Sequence, residues 1–209
     1  MRHISYKKTV ALLIALCLTL GIFANFPAMV FASNGDTPVE PASLGASAQE
    51  AQLLGAPRTG EIQVDLASPS GTGVTVTADT IQLTQAGSTY RLSGTTTAYN
   101  VEATENCTII LDGATITPPW DLERAALDLG SKTVTLTLEG TNKCEAGEDS
   151  ECAGVRIATG GALTIAGTGT LKAIGKGDFV TGGGAGIGGN ANESCGTIIV
   201  KAGVITAQG

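Results

Sequence analysis

Short apolar pairs recur along this chain at a nearly fixed interval, and that recurrence restricts the available folds more than any single residue does. One series reads Ile81/Leu83, Ile109/Leu111, Leu136/Leu138, Leu163/Ile165 and Ile198/Val200. A second series, Val101/Ala103, Leu127/Leu129, Val155/Ile157 and Ala185/Ile187, runs in phase with it. A repeat of roughly 20–50 residues marks a solenoid, whose units bury their apolar edges only by stacking on one another. Within each pair the apolar residues stand two apart, which is the period of a strand rather than a helix.

Residues 133–140, TVTLTLEG, show the pattern most cleanly: apolar side chains face one way, threonines the other, and a glycine closes the run. The same ending recurs at Asp112-Gly113, Ala166-Gly167 and Ala202-Gly203. A glycine there suits a corner that needs positive φ or close backbone approach. A weaker third strand follows each corner, with Ile116, Leu171 and Ile205 as its inward residues. Three short strands per repeat, parallel between repeats, predict an all-β right-handed parallel β-helix of about five coils. A sandwich would show hairpin signals, and a propeller would need four strands per blade.

Three segments are expected. Residues 1–32 read as a signal peptide: Arg2, Lys7 and Lys8 precede an uncharged apolar run over 9–26, and VFA stands before Ser33. A retained membrane anchor is the alternative. Residues 33–60, rich in Ala, Ser, Pro and Glu, read as a flexible linker. Residues 61–209 form the repeat domain. Its last coil reaches Gly209 without a polar cap, so truncation at the C-terminus is expected.

Removing the leader changes the chemistry at hand. The sole histidine, His3, lies inside it, so the mature chain has no imidazole for Ser/His/Asp or Cys/His triads or for histidine-bearing zinc sites. The mature chain keeps 9 of 12 basic residues and all 19 acidic ones, a formal −10. That charge argues against nucleic acid. A secreted or cell-surface bacterial protein, with no membrane segment in its mature form, fits this organisation.

Four mature cysteines remain, with three possible pairings. Cys144–Cys152 closes the shortest loop and is the expected bridge, although all four can equally be buried thiols. Between those two lie Glu145, Glu148, Asp149 and Glu151. Calcium takes about six to eight hard oxygens, so this loop is a candidate calcium site; a solvated acidic loop is the plainer alternative.

Trp120, the only tryptophan, follows Pro118-Pro119 after a third strand, where such folds project loops. An indole there offers a stacking platform for a sugar ring, with Asp121, Glu123 and Arg124 beside it for polar contacts. Packing against the flank is the alternative. Arg156 points outward toward Asp128 one repeat earlier, an arrangement best read as an ion pair. Residues 184–189, GAGIGG, fit G-x-G-x-x-G formally, but no βαβ unit surrounds them, so no nucleotide site is expected. Thr137 and Thr164 are expected to stack, with Ile110 and Ile199 interrupting any extended threonine array.

Residues 80–117 carry Ala86-Gly87, Tyr90, Leu92, Gly94, Leu111-Asp112-Gly113 and Ile116 in an order that resembles the secreted, clostridial-type carbohydrate-binding β-helix proteins. The resemblance extends over residues 80–209. It implies a pectate-lyase-like scaffold that binds calcium and plant or acidic polysaccharide without turnover. Extracellular, calcium-assisted binding of polysaccharide or cell-surface glycan is therefore the expected function. A structural or adhesin stalk segment is the alternative, and a polysaccharide lyase using Arg124 or Arg156 as base is a third.

Overall fold

A computed structural model describes residues 60–148, 151–178 and 182–209, within one compact unit, Ala51–Gly209. The leader and the linker, Gly60 apart, lie outside the described residues. Every regular element among the described residues is a strand. In chain order these begin with β1 (Glu61–Asp65), β2 (Val74–Val76), β3 (Thr80–Leu83), β4 (Thr89–Thr96), β5 (Asn100–Ala103) and β6 (Cys107–Ile116). There follow β7 (Leu127–Asp128), β8 (Thr133–Glu139), β9 (Thr141–Glu145), β10 (Val155–Arg156), β11 (Ala162–Gly167) and β12 (Thr170–Ile174). The last are β13 (Gly177–Asp178), β14 (Gly182–Gly183), β15 (Ile187–Gly188), β16 (Thr197–Val200) and β17 (Val204–Gln208).

The described residues are all-β, and their strands pair mostly in parallel. One wing of the larger sheet stacks β1, β4, β6, β8, β11 and β16; the other runs from the end of β6 through β9 and β12 to β17. The smaller sheet stacks β3, β5, β7, β10 and β15 in parallel, with β2 laid antiparallel on β3. The inward residues of these stacks form one core, including Ile81, Leu83, Leu92, Ile109, Leu111, Leu127, Leu136, Ile165 and Leu171. Burying such a row of aliphatic side chains is the main term holding the strands together.

The expected corners are present: Gly113, Gly140, Gly167 and Gly203 have φ of +64°, +65°, +98° and +101°. The Gly-rich 184–189 segment is explained by crowding, since a Cβ on Gly184 would stand 2.1 Å from the Cys152 carbonyl carbon.

Three expectations about register need correction. Ile81 and Leu83 pair with Val101 and Ala103 and so open the second series, while Tyr90 and Leu92 take their place beside Ile109 and Leu111. Between β8 and β11 the pairing is displaced by two residues: Leu136 faces Ile165, and Leu138 faces Gly167. The alternation survives because a shift of two returns every side chain to the same face. Thr164 therefore lies beside Thr135 rather than Thr137, and Thr89, Thr108, Thr135 and Thr164 form one outward column ending at Ile199. The adjacent column, Arg91, Ile110, Thr137 and Ala166, holds one threonine. The two together do not form a threonine lattice.

Polar side chains stitch the repeats. Buried Asn142 accepts from the Ala114 N–H at 2.8 Å and donates to the Glu139 and Thr170 carbonyls at 2.9 and 3.1 Å. Arg91 holds Glu61, Asp112 and Glu139 at 2.8, 2.9 and 2.7 Å. Arg156 holds Asp128 and Glu193 at 3.0 and 2.5 Å, as expected for its partner Asp128. At the β1 end, the buried Tyr90 hydroxyl donates to the Gly73 carbonyl and accepts from the Gln85 N–H. At the β16 end, Ile198 and Val200 are 36% and 57% exposed although they stack on buried Leu163 and Ile165.

Candidate functional site

The 117–125 loop leaves β6 with Pro118 buried and then turns outward, since neither proline can donate to a strand ladder. Leu122 N–H donates to the Pro119 carbonyl at 3.2 Å, closing a turn that carries Trp120 at its apex. The indole is 69% exposed, the most exposed large apolar side chain among the described residues. The turn rests on the loop that follows β9. A Cβ at Gly147 would lie 2.7 Å from the Pro119 carbonyl oxygen and 2.9 Å from that of Leu122. Only a glycine permits the two loops to meet this closely.

Between them lies a cleft of about 240 Å³ lined by Thr97, Thr117, Pro118, Pro119, Trp120, Glu145, Ala146 and Glu148. Trp120, Glu145 and Glu148, far apart in sequence and expected to serve two separate ligands, thus share one site. Asp121 and Glu123 are exposed on the same loop but do not line the cleft. Arg124 turns away, donating to the Thr80 hydroxyl at 2.9 Å and facing Asp79 at 3.5 Å, so it anchors the loop. Glu151 has φ +46°, its carbonyl accepts from the Ala191 N–H, and it does not line the cleft. Asp149 lies outside the described residues.

Glu145 is held by Lys143 and, at 2.8 Å, by Lys176, whose ammonium also faces Glu148 at 3.9 Å. Burial alone would raise the Glu145 carboxyl, but the Lys143 and Lys176 hydrogen bonds outweigh it and hold the group below the ordinary carboxylate range. Among the described residues no three His, Cys, Asp or Glu side chains converge as a cation cage. Two ammonium groups engage Glu145, so that carboxylate has little lone-pair capacity left for a cation.

The bridge expected between Cys144 and Cys152 is not formed. Cys144 is a free thiol, wholly buried, pointing into the core in register with Ile116 and Ala173. Burial pushes that thiol up to about 12, so it behaves as a small apolar side chain.

The sequence reading missed Thr97, Thr117, Pro118 and Pro119 as lining residues and both lysines as partners of Glu145. Lys143 was within reach of sequence reasoning, because residues two apart on a strand share a face. Lys176 was not, since its position depends on how β12 is registered against β9. The chain matches no family model, no curated protein and no solved structure, so the chemistry of the cleft has to be read from its own residues.

Proposed function

We propose that residues 61–209 form an extracellular, non-catalytic carbohydrate-binding domain, built as a right-handed parallel β-helix of about five coils. The observation that carries this reading is an indole 69% exposed at the edge of a concave site. Exposing so much aromatic surface forgoes burial energy, and an aromatic face beside polar groups is what a pyranose ring stacks upon. Thr97, Thr117 and Glu148 supply hydroxyl and carboxylate partners for sugar hydroxyl groups. A lyase would draw on Arg124 or Arg156 as base, and both guanidiniums are engaged by carboxylates, which supports binding without turnover. The leader and the resemblance to carbohydrate-binding β-helix proteins belong to the same reading.

Because Trp120 is the only tryptophan, its fluorescence reports this site alone. Titration with a panel of soluble oligosaccharides should give saturable quenching or a spectral shift with at least one of them. A panel that leaves the emission unchanged, while the folded state is intact by circular dichroism, would remove the proposal.

A further inference from the structure

The charge around the cleft selects among saccharides. Its lining contains two carboxylates, Glu145 and Glu148, and no basic side chain. Lys143 and Lys176 reach Glu145, so that carboxylate is largely matched. Glu148 is not: its side chain is 77% exposed, and it faces Lys176 at 3.9 Å, an ammonium shared with Glu145 at 2.8 Å. Asp121 and Glu123 add two exposed carboxylates on the loop that carries Trp120. Four carboxylates against two ammonium groups leave the surroundings of the indole near −2. The domain repeats this bias, with 16 Asp and Glu against 8 Lys and Arg over residues 61–209, a formal −8. A polyanionic glycan would be repelled from such a surface, and a neutral one would leave the Glu148 charge unused.

We infer that the saccharide bound over Trp120 carries a free amine: a 2-amino-2-deoxy sugar whose ammonium donates to Glu148 while its ring lies on the indole. This rests on the carbohydrate-binding reading and names its ligand class. An ammonium on a ring held against an indole face also gains a cation–π contribution, which a neutral hydroxyl does not. The charge-assisted contact to Glu148 is the stronger of the two and sets specificity.

Four oligosaccharides of matched length separate the possibilities: a glucosamine oligomer, its N-acetylated counterpart, a glucose oligomer and a galacturonate oligomer. Binding is read through Trp120 emission at neutral pH and low salt. The glucosamine oligomer should bind about tenfold tighter than its N-acetylated form, the size expected for one charge-assisted hydrogen bond. Raising the salt should erode that preference. Glu148→Gln should abolish it, with the glucosamine oligomer falling to the level of the acetylated one. Because Glu148 is exposed, the E148Q protein should keep the thermal midpoint of the parent chain. Equal or tighter binding of the acetylated, glucose or galacturonate oligomer would overturn the amine assignment while leaving carbohydrate binding in place. Failure of all four to perturb Trp120 would overturn both.

Discussion

Arg156 and Trp120 both project from the outside of the strand stack, and both invite a functional reading from sequence. In the structure they differ in what the neighbouring repeats do to them. Asp128 from the repeat before, in register, and Glu193 from the segment after hold the Arg156 guanidinium between them. No strand partner lies over Trp120; it stands at the tip of a turn, 69% exposed, beside a cleft. A parallel stack brings chemically complementary groups together simply by repeating, so a charged cluster on its face is usually a stitch. A large apolar side chain that the stack leaves uncovered is the better sign of a ligand surface.

Breaking the stitches should be costly, and most costly where the polar group is buried. Asn142→Leu removes one buried hydrogen-bond partner from each of the Ala114 N–H and the Glu139 and Thr170 carbonyls. Denaturant unfolding should show a loss of roughly 3–5 kcal/mol, since each buried unsatisfied group costs about 1–3 kcal/mol. Next in size, Ile165→Ala in the core should lose about 2–4 kcal/mol by the same measurement.

How much of this was legible follows from particular residues. The apolar alternation and the glycine corners announced stacked parallel strands, and Arg156 with Asp128 could be paired one repeat apart. The register of β11 on β8 could not be read. Gly167 and Gly169 both look like corner glycines, and the pairing of Leu138 with Gly167 and Thr141 with Thr170 places Gly169 opposite Gly140. Period-two alternation is blind to a slip of two. Tyr90-Arg91-Leu92 hid β4, the strand between β1 and β6 in the larger sheet, because a tyrosine and an arginine do not look like a core strand. Trp120 and the acidic insertion were each visible, but their meeting depends on Gly147 receiving the Pro119–Leu122 turn, a contact that no spacing rule encodes.

A medium effect is expected at the Arg156 stitch. The hydrogen bond from Arg156 lowers the Glu193 carboxyl, against the opposing effect of burial. The contribution is therefore complete above the carboxyl range of the unfolded chain and is lost as pH falls through the lowered folded value. Glu193→Gln should cost about 1–2 kcal/mol at neutral pH and flatten the acid limb of the stability-against-pH curve, followed by thermal melts across acid pH. If the acid limb is unchanged, the clamp contributes no measurable stability.

Smaller still, Val200→Ala should change stability by less than about 0.5–1 kcal/mol, because its side chain, though stacked on Ile165, is 57% exposed. A loss comparable with that of Ile165→Ala would mean that Val200 is covered in solution.

Trp120→Ala stands at the end of this series and tests the central claim most directly, by measuring the thermal midpoint and glycan-array binding on the same preparation. The account predicts a midpoint within about 1–2 °C of the parent chain, since little burial is lost, together with loss of glycan binding. A midpoint lowered by many degrees with glycan binding retained would contradict it, and would make the indole one more stitch in the stack.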